Sequence, residues 1–239
     1  MEEQLIEDGK ALEPRHTEVI VASETAGVMP RSQEGLARLI EREGLRNSEV
    51  AHAFRAVDRA DFVPEGHRFS AYRDRPVGLP EEQTTSQPSL IARMLDATRP
   101  GSHDIALEVG TGYGFQTALL ARLVQRVVSI ERYPSLASKA RNNLERAGIT
   151  NVDIVVGDGW AGYPDAAPYD VIVVSAAAAA VPDALVEQLG DGGRMVIPIR
   201  EARGDNVYLF VKRDGQLDLK RLVTPARFVP LVRSRDTER

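Results

Sequence analysis

Residues 104–131 read DIALEVGTGYGFQTALLARLVQRVVSIE, and the order of patterns in them decides the fold. The run Ile105 to Val109 is short, apolar and bounded by turn residues, as a strand buried on both faces should be. Gly110, Gly112 and Gly114 then let the backbone turn sharply and come close to a ligand. FQTALLARLV has apolar residues at helical spacing, and RVVSIE is a second buried strand. Strand, glycine turn, helix and strand in that order make the unit of a parallel sheet with helices on its faces.

The unit repeats downstream, where PSLASKARNNLERAG, VDIVVG, DVIVV, PDALVEQLG and RMVIPI alternate helix with buried strand. VYLFVK, QLDLKRLV and ARFVPLV then follow without helix-length inserts, so they are expected to pair as antiparallel strands at the edge. Residues 101–239 are therefore read as an α/β core, a Rossmann-like doubly wound sheet with an antiparallel C-terminal edge. Upstream, Leu36, Leu39 and Ile40, then Val50, Phe54 and Val57, mark amphipathic helices over 31–43 and 47–59, ending at Pro64. TTSQPSLIARMLDA starts a third helix, with Pro88 at its first position and Leu90, Ile91, Met94 and Leu95 on its apolar face. Residues 30–100 thus form an N-terminal helical cap, and residues 1–29, which hold no sustained period, a flexible extension.

Composition narrows the function. The chain has 239 residues, 43% hydrophobic and 27% charged, which suits one folded unit rather than a disordered or fibrous chain. A net charge of -5 gives no footprint for nucleic acid. The absence of cysteine removes disulfides and thiol nucleophiles, and with no apolar run long enough to span a membrane the expectation is a soluble cytoplasmic monomer. His16, His52, His67 and His103 are scattered without ligand spacing, so no metal site is expected.

Three strand ends carry candidate ligand contacts. The turn LEVGTGYG lies where α/β sheets bind ligands, but a dinucleotide fingerprint would need glycine at Phe115, which argues against a bound pyrophosphate and a nicotinamide dehydrogenase. Glu131 lies 21 positions after Gly110 (131 − 110), where a carboxylate can accept from ribose hydroxyls. A solvated Glu131, or one paired with Arg132, is the plainer account of that position taken alone. In GDGW, Asp158 suits an adenine amino group, and equally an ordinary turn. Convergence of all three on one crevice favours an adenosine cofactor.

Together with these motifs, EVGTGYGFQTALLA, TTSQP, GDGWAGYPDAAPYDVIVVSAA and ARFVPLV resemble the protein-L-isoaspartate (D-aspartate) O-methyltransferase family over residues 31–233. The resemblance implies a class I S-adenosylmethionine-dependent methyltransferase fold. The implied reaction is methyl esterification of the α-carboxyl of L-isoaspartyl, and D-aspartyl, residues in peptides and proteins, the first step in repairing them. It implies that the backbone around Glu108, Val109, Gly110, Thr111 and Gly112 lines the methionine end of the cofactor, that Glu131 holds the ribose, and that Asp158 and Gly159 meet the adenine. Ser86 matches the family's active-site serine, with Thr85, Gln87 and Ser175 beside the substrate. Taken without the family, Ser86 reads as a cap for the helix that Pro88 begins.

Two departures bear on substrate. The loop before TTSQP carries Leu79, Pro80, Glu81, Glu82 and Gln83 where the family has small glycine-containing residues, and Thr85 replaces isoleucine. Carboxylates there would repel a carboxylate substrate unless they face solvent or pair with Arg73 or Arg75. Ser175 to Pro182 lacks the family's prolines and reads as a small-residue wall. Two other functions share this sequence pattern: a dedicated aspartyl or isoaspartyl carboxyl methyltransferase of a biosynthetic peptide, and a cofactor-binding regulatory protein without catalysis.

Overall fold

A computed structural model describes residues 30–233, so the extension expected over 1–29 lies outside the described residues. Helix α1 (Gln33–Glu41) starts at Ser32, whose hydroxyl accepts from the Gly35 N–H, and buries Leu36, Ala37 and Ile40. Helix α2 (Ser48–Ala56) is capped by Asn47 and buries Val50, Ala53 and Phe54. It stops one turn earlier than the periodicity suggests. Short 3-10 turns at Arg59–Phe62 and Glu65–Ser70 carry the chain past Pro64. Strands β1 (Val77–Gly78) and β2 (Thr84–Thr85) pair as a small antiparallel ladder, and α3 (Pro88–Thr98) follows with Pro88 in its first turn. Asp96 on α3 accepts from the backbone N–H groups of Arg46 and Asn47 at 2.8 and 2.7 Å, which fixes the α1–α2 turn against α3.

The sheet comprises β3 (Ile105–Val109), β4 (Arg126–Glu131), β5 (Val152–Val156), β6 (Tyr169–Val174), β7 (Leu189–Glu201), β8 (Gly204–Arg213) and β9 (Gln216–Ala226). Its order is β5-β4-β3-β6-β7-β8-β9. The first five of these run parallel, while β8 and β9 add antiparallel to the β7 edge. Helices α4 (Phe115–Ala121), α5 (Pro134–Arg146) and α6 (Asp183–Gln188) connect them. Sequence order reverses between β3 and β6, and a crevice opens at the carboxyl ends of strands where that happens.

The strand interiors lack a polar face because successive residues serve different layers. Ala106, Val127, Val171 and Val196 join one core with α1 to α4, whereas Leu107, Val128, Ile172 and Met195 join another with Leu185 of α6. Each of the valine, leucine, isoleucine and methionine side chains among them contributes on the order of 1.5–3 kcal/mol when fully buried. The first core also shows that the N-terminal helices cover the sheet directly.

ARFVPLV departs from the expected edge strand. Only Ala226 belongs to β9; beyond it the chain folds back so that Ala177 donates to Val229 and Leu231 donates to Ala177, both at 2.8 Å. Pro230, at the centre of the run, has no N–H for a ladder, and the Phe228 N–H is taken by Asp205 at 2.8 Å. This strap ends over the crevice.

Candidate active site

The crevice is a cavity of about 300 Å³ walled by the ends of β3, β4 and β6, the TTSQP segment and the C-terminal strap. Backbone bonds hold the strand ends together: Gly110 donates to Ile130, Ser175 to Val109 and Gly157 to Glu131, at 2.8, 2.8 and 3.0 Å. Gly110 and Gly112 take φ of +96° and +56°, the left-handed region that side chains disfavour. Gly159 is needed for space, since a Cβ there would lie 2.3 Å from Val109 Cγ1.

Glu131 is 5% exposed, and its carboxylate oxygens accept from the backbone N–H groups of Gly112 and Tyr133 at 2.7 and 3.0 Å. Burial pushes its pKa up, and those N–H groups pull it back toward the ionised form. An acceptor so fixed, facing the cavity, is suited to hydroxyl donors.

The expectation for Glu108 concerned its backbone, and its side chain points elsewhere. It is absent from the wall and lies fully buried beneath it, accepting from Ser129 Oγ at 2.6 Å, Gln116 Nε2 at 3.0 Å and Thr117 Oγ1. Burial raises its pKa to about 7 against the pull of those donors. Thr111 Oγ1 meets Ser129 Oγ at 2.6 Å, so the loop above is tied to the same network.

Asp158 and Gln87 also stand away from the wall. Asp158 accepts from the Trp160 N–H at 2.9 Å, the turn geometry its neighbours suggest, and Gly159 is what meets the cavity. Gln87 donates to Asp74 and Ser89, at 2.8 and 2.9 Å. Val109, Gly110, Thr111, Gly112, Glu131, Gly159, Thr85, Ser86 and Ser175 are all brought together.

Ser86 does not cap α3. The N-cap position is Gln87, with no side-chain cap bond, and Asp74 takes over by accepting from the Ser89 N–H at 2.8 Å. The Ser86 carbonyl instead accepts from Arg59 Nη2 at 3.0 Å. Arg59, completely buried, also donates to the carbonyls of Ala71, Arg73 and Arg75 and stacks 5.5 Å over the Phe115 ring. Burial lowers its pKa to about 10, which nearby Asp74 partly offsets.

Glu81 and Glu82 occupy a tight turn closed by the Gln83 N–H on Pro80, with φ of 59° and 57°. Both are exposed on the cavity rim, and among the described residues neither forms an ion pair. They therefore face solvent, and Glu81 accepts from Ser135 at 2.8 Å. Sequence reasoning did not place Tyr133, Leu136, Gln116 or Val229 to Val232 on the wall. Gln116 alone left a signal, as a polar residue inside the apolar run FQTALLA.

The sequence profile of the protein-L-isoaspartate(D-aspartate) O-methyltransferase family matches residues 31–236. The chain is 46% identical over 193 residues to a protein-L-isoaspartate O-methyltransferase of Methanoculleus marisnigri, covering 81% of this chain and 87% of that one. A protein of the same description from Ignicoccus hospitalis is 44% identical over 206 residues, covering 84% and 97%. Among solved structures, a protein-L-isoaspartate O-methyltransferase superposes with a TM-score of 0.73 at 32% identity, over 83% of this chain and 65% of that one. A Plasmodium falciparum chain described as a beta-aspartate methyltransferase, in complex with S-adenosyl-L-homocysteine, gives 0.72 at 25% identity, over 85% and 99%.

Proposed function

From the premise that the chain belongs to the protein-L-isoaspartate(D-aspartate) O-methyltransferase family, we propose that it methylates the α-carboxyl of isoaspartyl residues in peptides and proteins, using S-adenosylmethionine. The observation that carries the reading is a single cavity shared by the glycine loop with Glu131 and the TTSQP loop with Ser86. The names of the relatives do not favour a biosynthetic peptide client or a regulatory protein without catalysis.

The residues fit an adenosyl cofactor. The backbone of Gly110 and Gly112 would admit its methionine end, Glu131 would accept from the ribose hydroxyls, and Gly159 on the wall would meet the adenine. When bound, S-adenosylmethionine supplies a methyl on a cationic sulfur, and its transfer to a carboxylate oxygen leaves a methyl ester and S-adenosylhomocysteine.

The α-carboxyl acceptor has a pKa near ~3.5 and is already an anionic nucleophile at neutral pH, so no side chain need remove a proton. The work of the chain is alignment, which can supply up to ~7–11 kcal/mol in favourable cases. Ser86, whose hydroxyl finds no partner among the described residues, orients the carboxylate by donating to it. Arg59 holds the Ser86 backbone in place. The strap at Val229 to Val232 lines one side of the cavity, where it would limit the access of water to a bound cofactor.

The chain is proposed to act as a monomer, and not on nucleic acid, in keeping with its acidic balance. A cysteine-free sequence suits a cytoplasmic location. Among the described residues no helix is long and apolar enough to cross a membrane. The test is transfer of a labelled methyl from the cofactor to an isoaspartyl peptide, followed by mild base. Label released as methanol marks an ester and is expected; base-stable label, or none, contradicts the assignment.

A further inference from the structure

The turn that joins β1 to β2 is closed by the Gln83 N–H on the Pro80 carbonyl at 3.2 Å and the Leu79 N–H on the Gln83 carbonyl at 2.8 Å. Its two central residues, Glu81 and Glu82, have φ of 59° and 57°. Left-handed backbone at both centres suits glycine and asparagine, because the Cβ of a longer side chain crowds the following carbonyl. Glutamate stands there against that preference, and no contact of the fold uses the Glu82 carboxylate. The residue is exposed, and among the described residues no hydrogen bond or ion pair reaches its side chain. Glu81 accepts from Ser135 Oγ in the first turn of α5, a contact that leaves its charge without a cation.

Position gives these charges a use. Residues Glu81 to Ser86 line the cavity without a break, with Thr84 and Thr85 of β2 leading from the turn to Ser86. At about 3.3 Å per extended residue, Glu82 lies within ~13 Å of Ser86 along the chain. A peptide whose isoaspartyl carboxylate meets Ser86 spans that distance with about two to four of its own residues. The other charged groups on the wall are engaged elsewhere. Glu131 is buried and accepts from the Gly112 and Tyr133 N–H groups, and Arg132 Nη1 donates to the Val232 carbonyl of the strap at 3.2 Å.

Resting on the methyltransferase reading above, we propose that Glu81 and Glu82 set the choice among isoaspartyl sequences. They favour peptides with lysine or arginine about two to four residues from the isoaspartate and disfavour those with aspartate or glutamate there. The contact is made at an exposed rim, so it is a weak pairing that salt screens, and it acts on capture of the peptide rather than on methyl transfer. Selectivity of this kind is a difference between an attractive and a repulsive arrangement, and two like charges on one turn supply both.

The test uses three isoaspartyl peptides that differ only at those flanking positions, which hold lysine, glutamine or glutamate. At ~0.01 M salt the unmodified protein is expected to show a kcat/KM about tenfold higher for the lysine peptide than for the glutamate peptide, mostly through KM, with glutamine between them. Near ~1 M salt the ratio should shrink to about twofold. Glu81→Gln combined with Glu82→Gln should bring the low-salt ratio within about twofold, and Glu82→Lys should reduce or invert it. If the double glutamine variant does not fold, Glu82→Gly, which suits the positive φ, removes one charge and should lower the ratio. Equal use of the three peptides by the unmodified protein, or a ratio that passes unchanged into the variants, overturns the inference; a variant that merely disturbs the turn slows all three alike and keeps the ratio. Failure to methylate any of the three overturns the methyltransferase reading itself, whereas equal methylation of all three overturns the charge selectivity alone.

Discussion

The backbone N–H of Gly112 donates to Glu131 Oε2 at 2.7 Å, tying the glycine turn after β3 to the carboxylate that ends β4. One bond thus sets both the loop that approaches the cofactor and the group that receives its ribose. Glu131→Ala removes the acceptor and leaves the Gly112 and Tyr133 N–H groups unmet. S-adenosylhomocysteine affinity is expected to fall at least ~10-fold, about 1.4 kcal/mol, by calorimetry. Unchanged affinity in a folded variant would remove Glu131 from the cofactor site.

Gly159→Ala places a methyl 2.3 Å from Val109 Cγ1, well inside contact distance. Overpacking of this kind costs about 1–3 kcal/mol. Urea unfolding should show that loss, and the loss should shrink when Val109→Ala opens the space, because touching residues couple. A penalty identical in both backgrounds would mean that the clash is not its source.

Arg59→Met removes the donors to four backbone carbonyls in the segment that carries Ser86. With buried acceptors costing about 1–3 kcal/mol each when unmet, a loss of at least ~3 kcal/mol is expected. Arg59→Lys should recover only part of it, since an ammonium cannot span the planar fork of a guanidinium. Urea unfolding and proteolysis between residues 71 and 86 would check this; a lysine variant equal to the parent would contradict it.

Glu108 supplies a pH dependence with a definite sign. Its folded pKa, raised to about 7 by burial, exceeds the ordinary 4.5, so the folded state binds the proton more tightly. That contribution is complete below pH ~4.5 and is lost as pH rises through ~7, at about 1.4 kcal/mol per pKa unit. Stability of the parent relative to Glu108→Gln is therefore expected to fall between those values. Unfolding free energies compared across that window would show a flat difference if Glu108 titrates normally.

How much could be read in advance followed from the range of the interactions involved. LEVGTGYG, RVVSIE and GDGW were legible because a buried parallel strand writes itself as a short apolar run, and its carboxyl end is where ligands bind. The orientation of Glu108 was not, since the parity that turns it under the wall depends on which helices cover each face. The Gln87 bond to Asp74 was not legible because its partner lies 13 residues away, and Ser86 looked like a helix cap for the same reason. ARFVPLV has the apolar content of a strand, and Pro230 with its missing N–H was the available sign that it would leave the ladder. The Glu81–Glu82 turn was visible as a departure, but its solvent-facing geometry needed coordinates.

The most direct test of the central claim compares two peptides of identical composition, one with an isoaspartyl linkage and one with a normal aspartyl linkage, under labelled S-adenosylmethionine. The account predicts methyl incorporation into the isoaspartyl peptide and background incorporation into its twin. Equal or greater methylation of the normal aspartyl peptide, or none of either by folded protein, would contradict it.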